Sequence, residues 1–260
     1  MPYLEIAGTS LHYLERGAGE PVVLLHAYPL TAECFLPQLE ALSDRFRVIV
    51  PDLPGFGASS PLEGPLSMEA LARSVLTLMD AIGVPLATVG GVSLGGYVAM
   101  ALLREDPSRV KGLALMDTQA VADDEAAKAG RETAAQAALD RGMDAVVEAM
   151  LPRLLSTTAT QPLRYRVEAM IRQNRADRCA ATLRAMALRP DSRELLSRFG
   201  GPSLVVHGED DTAVPRARAD QMADLLSLQV TPIPRAGHLA QLENPDAVNA
   251  ALRGLLERAG

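Results

Sequence analysis

The sequence predicts an α/β protein: a mainly parallel, eight-stranded sheet flanked by helices and interrupted by one long helical insertion. Three observations carry this expectation. Short apolar runs recur without polar alternation, as expected for strands buried on both faces. Helical patterns separate these runs, which is the order produced by right-handed strand–helix–strand crossovers. One stretch of about 80 residues, Thr118 to Gly200, shows helical spacing throughout and no strand pattern.

In chain order, Tyr3–Ile6 and Leu11–Leu14 flank Gly8 and read as a hairpin. The parallel strands follow at Val22–Leu25, Val48–Val50, Ala87–Val89, Val110–Met116, Leu204–Val206 and Val230–Ile233. Helices are expected at Ala32–Leu42, Ser67–Ile82, Leu94–Arg104, Arg216–Leu226 and Pro245–Glu257. Between Met116 and Ser203 lie four or five helices, rich in Ala, Arg, Leu and Met and punctuated by Gly130, Gly142, Pro152, Pro162 and Pro190. Such a length far exceeds an ordinary crossover. The expected organisation is a core of residues 1–117 and 201–260, with residues 118–200 as a helical cap over the active site.

Composition excludes several classes. Of 260 residues 48% are hydrophobic and 22% charged, enough for a large core and too apolar for disorder. The net charge of −7 argues against nucleic acid and against anionic lipid surfaces. No apolar run approaches a membrane span. Met1-Pro2-Tyr3-Leu4-Glu5 has neither the basic nor the apolar part of a signal peptide, so a cytoplasmic location is expected. Cys34 and Cys179 stand alone, outside any metal-binding or redox spacing, and are expected as reduced thiols. Cys34 reads as a small buried hydrophobe, with a reactive thiol as the alternative.

The strongest chemical motif is Gly91-Val92-Ser93-Leu94-Gly95-Gly96, set between a strand and a helix. A serine hydroxyl is a weak nucleophile that must be exposed and activated. A sharp strand-to-helix turn lifts its oxygen above the sheet, and the chain folds back so closely that small residues are needed two before and two after. Gly91 and Gly95 meet that need. For a serine on such a turn the partners follow in the order acid, then histidine. His12 and His26 precede Ser93, and His207 precedes the best acids, which leaves His238 as the base. Asp211, in Gly208-Glu209-Asp210-Asp211, is the expected acid, with Asp210 and then Asp117 as alternatives. Glu209 and Asp210 otherwise read as a solvated loop. One oxyanion donor is expected from the Leu94 N–H, at a helix N-terminus. The other should come from the loop His26-Ala27-Tyr28-Pro29.

These residues resemble the α/β-hydrolase superfamily over essentially the whole chain. The matching blocks are His26–Pro29, Asp52–Ser59, Gly91–Gly96, Gly208–Pro215 and Ala236–His238. The resemblance implies the α/β-hydrolase fold. It assigns the second oxyanion N–H to Tyr28 and a structural turn to Asp52–Ser59, and Ala27 stands where relatives usually carry glycine. Within the superfamily, the stretch Thr182–Asp191 is similar to 3-oxoadipate enol-lactonase-like hydrolases and small carboxylesterases. Cofactor-free perhydrolases (haloperoxidases) and carbon–carbon bond hydrolases share the same blocks. Ser93 departs from the dehalogenase and epoxide-hydrolase branches, which use aspartate there.

The expected activity is hydrolysis of a small-molecule ester or lactone through an acyl-enzyme. No metal or organic cofactor is required. A ligand receptor on the same fold is the non-enzymatic alternative. If the substrate carries a carboxylate, a cap arginine such as Arg184 or Arg189 is expected to face Ser93.

Overall fold

The computed structural model describes residues 3–6 and 9–260. The turn expected at Gly8 lies outside the described residues. β1 (Tyr3–Ile6) and β2 (Thr9–Arg16) pair antiparallel, and β2 pairs antiparallel with β4 (Phe46–Pro51). β3 (Glu20–Leu25), β5 (Ala87–Val92), β6 (Val110–Met116), β7 (Ser203–Gly208) and β8 (Thr231–Ile233) complete an eight-stranded sheet in the order β1-β2-β4-β3-β5-β6-β7-β8. From β4 onward every pairing is parallel. The unalternating runs Val22–Leu25 and Val48–Val50 are buried, as strands covered on both faces must be.

The helices are α1 (Leu36–Leu42), α2 (Met68–Ala81), α3 (Leu94–Glu105), α4 (Glu125–Arg141), α5 (Met143–Leu154), α6 (Gln161–Arg172), α7 (Ala176–Ala187), α8 (Arg193–Arg198), α9 (Arg216–Leu225), α10 (Ala240–Glu243) and α11 (Pro245–Ala259). α1 packs with α11, α2 with α3, and α9 on β7, so helices cover the sheet. The expected helix over Ala32–Leu42 is split. Its first four residues form a 3₁₀ turn, and the Ala32 N–H is taken by the Asp52 carboxylate at 2.7 Å. Side chains close several helix N-termini: Ser67 accepts from the Ala70 N–H at 3.1 Å and Asp124 from the Ala127 N–H at 2.8 Å.

Five helices, α4 to α8, lie between β6 and β7. α4 is rich in alanine, which favours helix; it buries Ala135 and Ala138 and packs on α7 and α5. α5 packs on α4, α6 and α7, whereas α8 packs on α3 and α9. Two residues expected as punctuation do not break their helices. Gly130 lies inside α4, and Pro152 sits in the last turn of α5, where one lost N–H bond is tolerated. No helix among the described residues is long and apolar enough to cross a membrane.

Topology sets where a site can form. The chain runs from β3 outward to β4, then returns to place β5 on the other side of β3. At such a switch the loops leaving two neighbouring strands diverge, opening a crevice at their carboxyl ends. The loops after β3 and β5 begin at His26 and Ser93.

Candidate active site

Ser93 adopts φ 53° and ψ −112°, a left-handed conformation rare for a side chain that bears Cβ. The turn is held in place: the Ser93 N–H donates to the Met116 carbonyl at 3.0 Å, and the Thr118 hydroxyl donates to the Ser93 carbonyl at 2.8 Å. A methyl group at Gly95 would sit 1.9 Å from the Leu25 carbonyl oxygen, and one at Gly91 would sit 2.1 Å from the Gly95 carbonyl carbon. Both positions therefore require glycine because backbone meets backbone there.

His238 Nδ1 hydrogen-bonds Asp211 Oδ2 at 2.9 Å. Asp211 Oδ1 accepts the Ala213 N–H at 2.7 Å and the Val214 N–H at 3.2 Å. Burial alone would raise the Asp211 carboxyl. The His238 ring and these two amides outweigh it and hold the group below the ordinary carboxylate range. Asp210, the first alternative, is exposed, as is Glu209. Asp117, the second, is fully buried and accepts the Gly208 N–H at 2.7 Å. Burial and the neighbouring Asp211 charge push its carboxyl well above the ordinary range.

Ser93 and His238 line one cavity of about 410 Å³ together with Tyr28 and Tyr97. Among the described residues the Tyr28 and Leu94 N–H groups have no protein acceptor. The Leu94 amide opens α3, where the first N–H groups have no partner within the helix.

The other histidines serve the scaffold. His26 Nε2 accepts the Leu53 N–H at 2.9 Å, which places the ring proton on Nδ1, donated to the Ala27 carbonyl at 3.0 Å. Burial lowers its pKa and keeps this neutral form. His12 pairs with Asp52 at 2.7 Å, and Asp52 also accepts the Ala58 N–H at 3.0 Å. The Asp52–Ser59 block is thus a hydrogen-bonded turn. His207 donates to the Val214 carbonyl at 3.0 Å. Asp117, His207 and Asp211 bring ligand-type atoms within 4.8 Å of one another, the one such group among the described residues. His207 and Asp211 are already committed to protein partners. Cys34 is buried and its thiol is pushed up to about 12, so it is a packing residue without thiolate character at neutral pH.

The expectation for the cap arginines needs correction. Arg184 is exposed and pairs with Glu132 at 2.6 Å. Arg189 is buried, pairs with Asp123 at 2.7 Å and stacks over the Tyr97 ring at 4.1 Å. The arginines that line the cavity are Arg131 and Arg153. Arg131 shares the Asp123 carboxylate with Arg189, so two guanidiniums meet one anion. Burial would raise the Asp123 carboxyl, but the two arginines overcome this and hold it below the ordinary range. Among the described residues Arg153 has no ion-pair partner within 4.0 Å. The rest of the helical wall includes Met150, Leu183 and Met186. No local motif marks Asp123, Arg131 or Arg153, because their positions depend on how α4 and α5 pack on each other and on α7.

Comparison with known proteins agrees with this architecture. A thermophilic esterase from Thermogutta terrifontis, solved with malate bound, superposes with a TM-score of 0.93 at 36% identity, covering 99% of this chain and 97% of that one. The enol-lactonase from Burkholderia xenovorans LB400 gives a TM-score of 0.89 at 26% identity, covering 98% and 100%. A dihydrolipoyllysine-residue acetyltransferase component of an acetoin cleaving system from Cupriavidus necator is 30% identical over 96% of this chain and 67% of its own length. Residues 20–245 match the family described as the alpha/beta hydrolase fold. With the switch-point crevice, the strained serine turn and this match, the chain belongs to the α/β-hydrolase fold family.

Proposed function

We propose that the protein is a serine hydrolase that cleaves a carboxylic ester or lactone through an acyl-enzyme intermediate. The observation that carries this reading is a left-handed Ser93 sharing one cavity with His238, whose far nitrogen is held by Asp211. Ser93 Oγ attacks the carbonyl carbon while His238 Nε2 takes its proton. Asp211 fixes the imidazole tautomer and stabilises the imidazolium. The Tyr28 and Leu94 N–H groups hold the tetrahedral oxyanion. Collapse expels the alcohol, protonated by His238. Water, deprotonated by the same ring, then releases the acid from Ser93.

Residues 118–200 act as the cap. A volume of about 410 Å³ suits a small molecule. Arg131 and Arg153 give its helical wall an excess of positive charge, which favours esters or lactones with an anionic group away from the reacting carbonyl. The enol-lactonase and the malate-bound esterase among the similar structures accord with that preference. Cys34 and Cys179 are free, buried thiols, which accords with action in a reducing cytoplasm.

Burst kinetics with a chromogenic acyl ester test the reading. A burst of alcohol, one equivalent per chain and missing in Ser93→Ala, supports it. Steady release without Ser93 dependence refutes it.

A further inference from the structure

We infer that Glu243 is a positioning residue for His238, and that the Leu154–Ser156 segment of the insertion is the other half of the same clamp. This rests on the serine-hydrolase reading above. His238 lies in the loop between β8 and α10, and its two chain neighbours are both tied down. On one side the Gly237 N–H donates to Glu243 Oε2 at 2.6 Å. On the other the Leu239 N–H donates to the Leu154 carbonyl at 3.0 Å.

Glu243 also reaches into the insertion. Its carboxylate accepts the Ser156 hydroxyl at 2.6 Å and the Ser156 N–H at 3.1 Å. One carboxylate therefore gathers donors from the histidine loop and from a segment 87 residues away. Contact between the two is intimate. A methyl group at Gly237 would sit 2.6 Å from the Ser156 nitrogen. The acid loop closes the third side, with the Asp210 N–H donating to the Ala236 carbonyl at 2.9 Å.

The chemistry explains why such a clamp matters. His238 must give and take a proton at two different oxygens, so its ring must be held to within about 0.5 Å. Asp211 fixes the ring through one nitrogen only. A ring held at one atom keeps its freedom unless the backbone beneath it is fixed. Hydrogen bonds to an ionised acceptor are the short, strong class suited to that task. The insertion thereby becomes part of what orients the base, in addition to walling the cavity.

The test measures kcat per burst-titrated serine, which removes the effect of any unfolded fraction. Glu243→Gln turns an acceptor into an amide that cannot accept every donor. It is expected to lower kcat per titrated site by about 10- to 100-fold, since misplacement by about 1 Å has that scale of effect. KM for a neutral ester should stay within about twofold, because Glu243 does not line the cavity. Ser156→Ala removes one donor without touching the histidine loop and should lower kcat several-fold in the same direction. It also serves if Glu243→Gln fails to fold. Wild-type kcat per titrated site in both variants, or in Ser156→Ala alone where Glu243→Gln does not fold, overturns the inference. A wild-type protein without a Ser93-dependent burst overturns the hydrolase reading instead.

Discussion

The cavity has two walls built on different principles. The sheet wall carries Ser93 and His238, with Asp211 behind the histidine, and is held by backbone: strand ends, a left-handed serine and glycines pressed against carbonyls. The helical wall carries Arg131, Arg153, Met150 and Met186 and is held by side chains, above all by one carboxylate between two guanidiniums. Backbone contacts leave no room for substitution, whereas long side chains can be exchanged with the fold intact. The first wall suits a chemistry that must keep its geometry, the second a selectivity that can change.

The largest effects are expected on the sheet wall. Ser93→Ala, His238→Ala or Asp211→Asn should each lower kcat by on the order of 10⁴, and double variants should lose little more because the three act as a unit. The exposed Asp210 gives the control: Asp210→Asn should leave kcat within about twofold. Full activity in Asp211→Asn with loss in Asp210→Asn would reverse the acid assignment.

Glycine substitutions compare the walls directly. Gly95→Ala forces a methyl group onto the Leu25 carbonyl, so kcat should fall by on the order of 10² and stability by about 1–3 kcal/mol. Gly130 lines the helical wall within α4, and nothing lies within 4 Å of a methyl group added there. Gly130→Ala should add about 0.5–1 kcal/mol of stability and leave kcat for a small ester unchanged. Thermal melts and initial rates on both variants decide. Equal losses at the two sites would erase the distinction between the walls.

On the helical wall, Arg131→Gln and Arg153→Ala should each lower kcat/KM for an anionic ester relative to its neutral isostere by about tenfold. Asp123 keeps Arg189 as partner when Arg131 is removed, so the fold should survive. An unchanged ratio in both variants removes the anionic preference and leaves the hydrolase reading standing.

The smallest effect separates two neighbouring carboxyls. Asp211 is held below its ordinary pKa and contributes stability above the unfolded value, lost as pH falls through the folded one. Asp117 is raised, so the unfolded chain ionises first and the native state is progressively penalised as pH rises from about 4. Asp117→Asn stays neutral and keeps an oxygen for the Gly208 N–H. Its Tm should gain on wild type with rising pH. A gap independent of pH would show that folding does not raise the Asp117 carboxyl.

All eight strands and most of the helices that follow them are legible because each rests on local patterning: apolar runs, turn residues and caps; the one-turn α10 (Ala240–Glu243) is too short to leave a periodic signal. The strand-to-helix turn at Ser93 was legible for the same reason, since its glycines stand two residues on either side. The split at Ala32 was not, because the Asp52 carboxylate responsible lies 20 residues away. The rotation of α7 turns Arg184 to solvent against Glu132, and Arg189, just past the end of that helix, is taken up by Asp123; neither is marked by spacing along the chain. Glu243 carries no signal because its partner Ser156 lies 87 residues away, and Arg131 and Arg153 carry none because spacing along a helix does not say which face lines a cavity. Charge and periodicity can be read along one helix; which faces meet across a cavity cannot.

Whether Ser93 becomes the acyl carrier is tested most directly by treating the protein with a fluorophosphonate and mapping the modified peptide by mass spectrometry. One equivalent per chain, on Ser93, with parallel loss of ester hydrolysis and no labelling of Ser93→Ala, is the expected result. Label on another residue, or undiminished hydrolysis by Ser93→Ala, would contradict the account.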